Sequence, residues 1–122
     1  MIIRRGDIFL LLIRTVSSSE FEKERPWLVV QNNRGNDSSD TITVVYITTT
    51  PDKKSYPMHV EISLNDLDII DKTYPFSPSS IIRVENIFTP RRQHFNRKIA
   101  FLKEKAMKYV DKALKHHLAL GN

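Results

Sequence analysis

The 122-residue chain contains no cysteine, which excludes both a disulfide framework and a thiolate metal site and suits a reducing compartment. Its four histidines, His59, His94, His116 and His117, form no i, i+4 pair with a carboxylate nearby. No structural zinc, other metal or cofactor is therefore expected. Long apolar runs are also missing. The most apolar early stretch, Ile8-Phe9-Leu10-Leu11-Leu12-Ile13, is six residues long, whereas a bilayer span needs about 20 and a signal-peptide core at least about seven. A cytoplasmic protein with no membrane contact is expected. No repeat or low-complexity tract occurs. Against about 100–200 residues for a typical domain, residues 1–122 read as a single domain with one core.

What is present is an uneven charge. The net charge is +5 and the pI about 9.6, but residues 91–122 hold nine Lys and Arg against two acids, while residues 1–90 hold ten against twelve. A basic C-terminal quarter points to a polyanionic partner, nucleic acid or acidic peptide, as readily as to a plain solvated helix face.

The most informative stretch is Glu24-Arg25-Pro26-Trp27-Leu28-Val29-Val30-Gln31-Asn32. Its apolar run predicts a strand buried on both faces, with Pro26 confined to the strand's start or an edge because it has no N–H for the ladder. Arg25 then stands at the lip of a rigid strand, where a planar guanidinium can grip a phosphate. Further strands are expected at residues 8–13, 41–49, 58–62, 80–88 and 99–102. Residues 15–24 read as a long exposed loop, residues 32–40 as a turn cluster, residues 65–70 as a helical turn, and residues 74–80 as loop. Thr89 before Pro90 resembles a cap opening a short helix toward Phe95. From Lys103, a stripe of Met107, Val110, Leu114 and Leu118 predicts a long helix ending at Gly121. The expected fold is mainly β: a small antiparallel barrel or curled sheet with a long C-terminal helix.

Several segments, in collinear order, carry a resemblance. They are Arg5-Gly6-Asp7-Ile8, Ser19-Glu20, Arg25-Pro26 with Val29-Val30-Gln31-Asn32, Gly35-Asn36, Ile47-Thr48, Pro57-Met58-His59-Val60-Glu61-Ile62, Glu85-Asn86-Ile87 and Val110-Asp111-Lys112-Ala113-Leu114. Together they resemble the MazF/PemK family of toxin–antitoxin ribonucleases. The resemblance implies an SH3-like antiparallel barrel that forms a homodimer and cuts single-stranded RNA at a short sequence without metal. It also implies 2′,3′-cyclic phosphate and 5′-hydroxyl ends, and silencing by an antitoxin whose acidic tail covers the site. The family's catalytic arginine and threonine fall on Arg25 and Thr48, and the arginine and acid two apart used by its PemK-like members fall on Arg83 and Glu85. Two departures, a loop at residues 15–24 without paired glycines and Phe88 where many relatives have arginine, leave the RNA sequence preference open.

Metal-free RNA cleavage needs a base for the 2′-hydroxyl, donors or cations for the charge on phosphorus, and an acid for the leaving 5′-oxygen. Arg25 stays protonated and so serves the charge rather than the base, and the Thr48 hydroxyl is too weak an acid for anything but donation. Glu20 and Glu85 are the candidate bases. The expected RNA contacts are Asn32, Asn36 and Asn86 for base edges, Phe21 for stacking, and Lys53 and Lys54 for phosphates, together with Ser19, Gln31 and His59. The rival reading is an inactive barrel acting as a binding module, such as a gyrase-poisoning toxin. A DNA-binding role for the basic helix is weaker, because a second recognition helix is missing.

Overall fold

The structure, a computed structural model, describes residues 1–13, 23–49 and 56–121. Among these residues, seven strands form one antiparallel sheet. They are β1 (Asp7–Leu11), β2 (Arg25–Val29), β3 (Val44–Thr48), β4 (His59–Ser63), β5 (Leu67–Ile69), β6 (Ser79–Phe88) and β7 (Lys98–Leu102), in the order β4-β6-β3-β2-β1-β7-β5. The two edge strands, β4 and β5, are joined by a single 3-10 turn, Leu64–Asp66, in which the Asp66 carboxylate accepts the Ser63 N–H at 2.8 Å. A sheet whose opposite edges are tied by three residues has to curl, and this makes it the expected barrel-like half-shell.

Side-chain alternation gives the sheet two apolar faces. Ile8, Leu10, Leu28, Val45, Ile47, Ile82 and Val84 point inward, where Ala106, Met107, Val110 and Ala113 of helix α2 (Glu104–His117) close the core. The opposite parity, Phe9, Leu11, Trp27, Val29, Val44 and Tyr46, forms a second cluster with Ile3, Ile42 and Phe95. Strand β2 is thus buried on both faces, as its apolar run requires, and Pro26 stands second in it. At the entrance to β1, Gly6 adopts φ +100, and an added Cβ would lie 2.9 Å from the Phe101 ring, so no other residue fits there without strain. Arg5 fixes the helix to the sheet, its Nε donating to the Val30 carbonyl at 2.8 Å and its Nη2 to Asp111 at 2.7 Å.

Four local expectations are corrected. Residues 32–40 are not all turn: Asn33–Ser38 form helix α1, because the Asn32 side chain caps it by accepting the Gly35 N–H at 2.8 Å. Arg92, far along the chain, donates to the Asn36 and Ser39 carbonyls at its other end. Of residues 65–70, expected as one helical turn, only Asn65 and Asp66 belong to a turn, the 3-10 turn Leu64–Asp66, and Leu67–Ile69 instead pair with β7. The helix expected after Thr89 and Pro90 shrinks to a 3-10 turn, Arg92–His94, since the Pro90 carbonyl accepts the Ile42 N–H at 2.9 Å and stays with the sheet. Finally, α2 stops at His117 rather than Gly121; Ala119 turns left-handed at φ 55, and Leu118, half exposed, leaves the buried stripe.

Candidate active site

The outer face of the sheet changes character along its rows. In one row the register runs Phe9, Trp27, Tyr46, Arg83, His59 across β1, β2, β3, β6 and β4. The apolar end of this row is a ring cluster, with Trp27 5.0 Å from Tyr46 and 5.2 Å from Phe88. Its polar end is Arg83 and His59. The β2–β3 register pairs Trp27 with Tyr46, and carried two residues further it sets Arg25 opposite Thr48. The neighbouring row is then Leu11, Arg25, Thr48, Ile81, Glu61.

Facing residues on antiparallel strands have Cα atoms about 4.5–5.5 Å apart, so Arg25 and Thr48 are adjacent by construction. Arg83 lies two strands from Arg25 and one row over, roughly 12 Å between Cα atoms from the strand spacing and rise. Two extended arginine side chains are long enough to span that distance.

Glu85, two residues beyond Arg83 on β6, falls on the same face by strand alternation, and the ladder is interrupted there. The β3–β6 register jumps from Ile87 opposite Val45 to Arg83 opposite Tyr46, so residues 84–86 bulge from the ladder. There Glu85 Oε2 meets His59 Nε2 at 2.6 Å, the imidazole nine-tenths buried and the carboxylate about a third exposed. Glu85 Oε1, Arg25 Nε and Arg83 Nε are buried and have no hydrogen-bond partner among the described residues. Buried polar atoms left unsatisfied are costly and uncommon, and here two donors and one acceptor gather on one patch. The Tyr74 phenol lies near enough to Arg25 and Arg97 to feel their charges, although burial dominates and pushes its pKa above the ordinary value.

The structure does not bring every expected residue to this face. Gln31, Asn32 and Asn36 follow the far end of β2, and Gln31 is six residues from Arg25, roughly 20 Å of extended chain. Gln31 bonds the Thr41 carbonyl and the Thr43 amide, and Asn32 caps α1. Asn36, 1% exposed, donates to the Gln31 carbonyl and Asn33. The expectation that Asn36 reads a base edge is therefore corrected: its amide is sealed inside the fold, and Gln31 and Asn32 serve the same corner. Asn86 sits in the bulge beside Glu85. Ser19, Glu20, Phe21, Lys53 and Lys54 lie outside the described residues.

The coupling of His59 to Glu85 was not legible in the sequence. The two are 26 residues apart, and only the pairing of His59 with Arg83 brings them together. Tyr56, whose ring packs edge-on against His59 at 5.1 Å, was missed for the same reason. Among the described residues, no group of three or more His, Asp or Glu is placed to hold a metal ion.

Fold and face together define a small curled-sheet protein whose outer face carries two arginines, a hydroxyl and a carboxylate–imidazole pair. Over residues 4–118 the chain matches the family described as PemK-like, MazF-like toxin of type II toxin–antitoxin system, and it belongs to that family. It is 38% identical over 120 residues to the endoribonuclease MazF of Staphylococcus epidermidis, covering 98% of this chain and 94% of that protein. To the endoribonuclease EndoA of Bacillus subtilis (strain 168) it is 39% identical over 120 residues, covering 98% and 97%. The fold is shared with a mycobacterial endoribonuclease solved in complex with its cognate antitoxin, with a TM-score of 0.71, 20% identity and 98% of each chain covered. MazF of Deinococcus radiodurans superposes equally well, with a TM-score of 0.71, 16% identity, and 98% of this chain and 99% of that one covered.

Proposed function

We propose that this endoribonuclease toxin cuts single-stranded RNA at a short sequence without a metal, leaving 2′,3′-cyclic phosphate and 5′-hydroxyl ends. The observation that supports this reading is the shared outer face of Arg25, Thr48, Arg83 and Glu85, with two buried guanidinium N–H groups that have no partner among the described residues. A doubly cationic, partly desolvated patch favours a phosphate that gains negative charge.

The roles follow from the chemistry of each group. Glu85 takes the proton of the 2′-hydroxyl, whose oxygen then attacks phosphorus. Of the two expected bases, Glu85 is supported by its setting, since His59 holds one carboxylate oxygen while the other stays buried and unpaired among the described residues. Arg25 and Arg83 donate to the phosphoryl oxygens as charge builds, and Thr48 adds a hydroxyl donor that fixes one of them in line. The 5′-oxygen leaves hydrogen-bonded to Arg25 and takes up a proton from water. His59 acts by orienting Glu85. Ser19, Phe21, Lys53 and Lys54 belong to the segments that precede Arg25 and follow Thr48 in sequence, and contact the RNA on either side of the cut.

The same reading makes the protein a cytoplasmic homodimer, silenced by a cognate antitoxin whose acidic C-terminal tail covers the arginine-bearing face. The net charge of +5 supports such a partner, and no helix among the described residues is long and apolar enough to cross a membrane. The test is incubation of purified protein with single-stranded RNA in EDTA, followed by end-group analysis. Cyclic-phosphate and 5′-hydroxyl ends are expected. Intact RNA together with inhibition of gyrase overturns the reading in favour of a binding module.

A further inference from the structure

An RNA cut internally continues on both sides of the scissile bond, so a cleavage face on a folded protein needs a path that leads the strand away. One groove shares a wall with the site. It lies between β4 and α2, measures about 490 Å³, and is lined by Tyr56, His59 and Glu61 on one side and Tyr109, Lys112 and His116 on the other. His59 belongs to both, bonded to Glu85 at its site end and packed against the Tyr56 ring at its groove end.

The helix wall has a regular pattern. Tyr109, Lys112 and His116 are spaced three and four apart and so form one stripe, and Tyr109 is 60% exposed, unusual for a tyrosine on a helix whose other face is core. Rings alternating with cationic groups are what single-stranded nucleic acid requires, since bases stack on aromatics while lysine meets the backbone. The groove's volume falls in the range, roughly 300–1,000 Å³, that holds a small organic ligand. Glu61 is the one carboxylate among the lining residues; it repels phosphate but accepts from the amino edges of cytosine and guanine. This stripe also gives the basic C-terminal quarter a use that the cleavage face leaves open.

We propose that the β4–α2 groove is an extension of the RNA site, in which unpaired nucleotides flanking the cut stack on Tyr56 and Tyr109 while their phosphates pair with Lys112 and His116. The inference rests on the ribonuclease reading. An acidic peptide is the competing occupant, but it would leave the two exposed tyrosines lining the groove unexplained.

The test measures binding of the full chain to RNAs made uncleavable by a 2′-deoxy residue at the cut. A short oligonucleotide spanning the cut is compared with the same sequence lengthened by several nucleotides on one side and then the other. The wild type is expected to gain affinity with lengthening on one side. Tyr109→Ala should reduce that gain by roughly five- to a hundredfold, the effect of one lost stack, and Tyr109→Phe should restore it. Lys112→Ala should flatten the dependence of log Kd on log salt by about 0.7. Both side chains are exposed, so unchanged thermal unfolding controls for folding. An equal gain in wild type and variants overturns the proposal, as does loss of binding to poly-glutamate but not to the longer RNA. If the wild type binds none of these RNAs and leaves their all-ribose counterparts intact, it is the ribonuclease reading that fails.

Discussion

The two faces of β3 differ in kind although they share five consecutive residues. Val45 and Ile47 enter a core of aliphatic groups from the sheet and α2, whereas Tyr46 and Thr48 face a row that begins as tilted and edge-on rings and ends in arginines and a carboxylate. Among the described residues, the inner face buries aliphatic side chains and none of the unpartnered polar atoms. On the outer face buried Nε and Oε atoms have no partner among the described residues, which is a cost that stability alone would not retain. One sheet can therefore hold the fold together with one parity of its residues and carry chemistry with the other, a step of one residue separating the two.

That contrast can be broken from either side. The largest effect is expected at Arg25: Arg25→Ala should lower cleavage by about 10³–10⁵-fold, as removal of a charge-stabilising arginine does in phosphoryl transfer. Arg25→Lys should recover little, because a point charge cannot replace the planar fork. Thermal unfolding of both variants should stay near wild type. Ile82, fully buried on the inner face, should show the opposite pattern. Ile82→Ala is expected to cost about 2–5 kcal/mol in urea unfolding, while the remaining folded fraction cuts RNA normally. A stable Ile82→Ala with impaired chemistry would erase the distinction between the faces.

Thr48 sharpens it further, being the neighbour of inward Ile47. Thr48→Val keeps the shape and removes the hydroxyl, so cleavage should fall by roughly 10²–10³-fold with stability changed by less than about 1.5 kcal/mol. Asn36 tests the far corner. Asn36→Ala should cost about 1–2 kcal/mol through its lost interior hydrogen bonds and leave the cleavage motif as it was, whereas a new motif would reinstate it as a base-reading residue.

The smallest effect concerns Asp71, whose carboxyl is held at about 2, below its ordinary 3.8, first by the hydrogen bond from Thr73 and then by Arg97. A lowered folded-state pKa stabilises above the ordinary value and is lost as pH falls toward the folded one. The difference in melting temperature between wild type and Asp71→Asn should therefore be present at pH 5 and disappear between about pH 4 and 2. A difference that persists at low pH would exclude this ionisation as its cause.

The strands were legible wherever local pattern and tertiary demand agree. Trp27-Leu28-Val29 could only be a strand covered on both sides, and the stripe through Met107 and Val110 could only be a helix on a core. The misreadings lie where a distant partner overrides local preference. Residues 33–38 became a helix once Asn32 capped one end and Arg92 the other, and Leu67–Ile69 became a strand once β7 lay beside them. At the candidate site, family resemblance led to Arg25, Thr48, Arg83 and Glu85, but no spacing in the chain foretold that His59 would grip Glu85.

The residue types, their alternation along each strand and the motifs of a PemK-like, MazF-like toxin were determined by the sequence alone, because periodicity and local sterics act between neighbours. Which side chains meet across the sheet was decided only by tertiary structure. Register and the bulge at residues 84–86 join groups tens of residues apart, and a slip of one residue would have turned the arginines and the carboxylate inward.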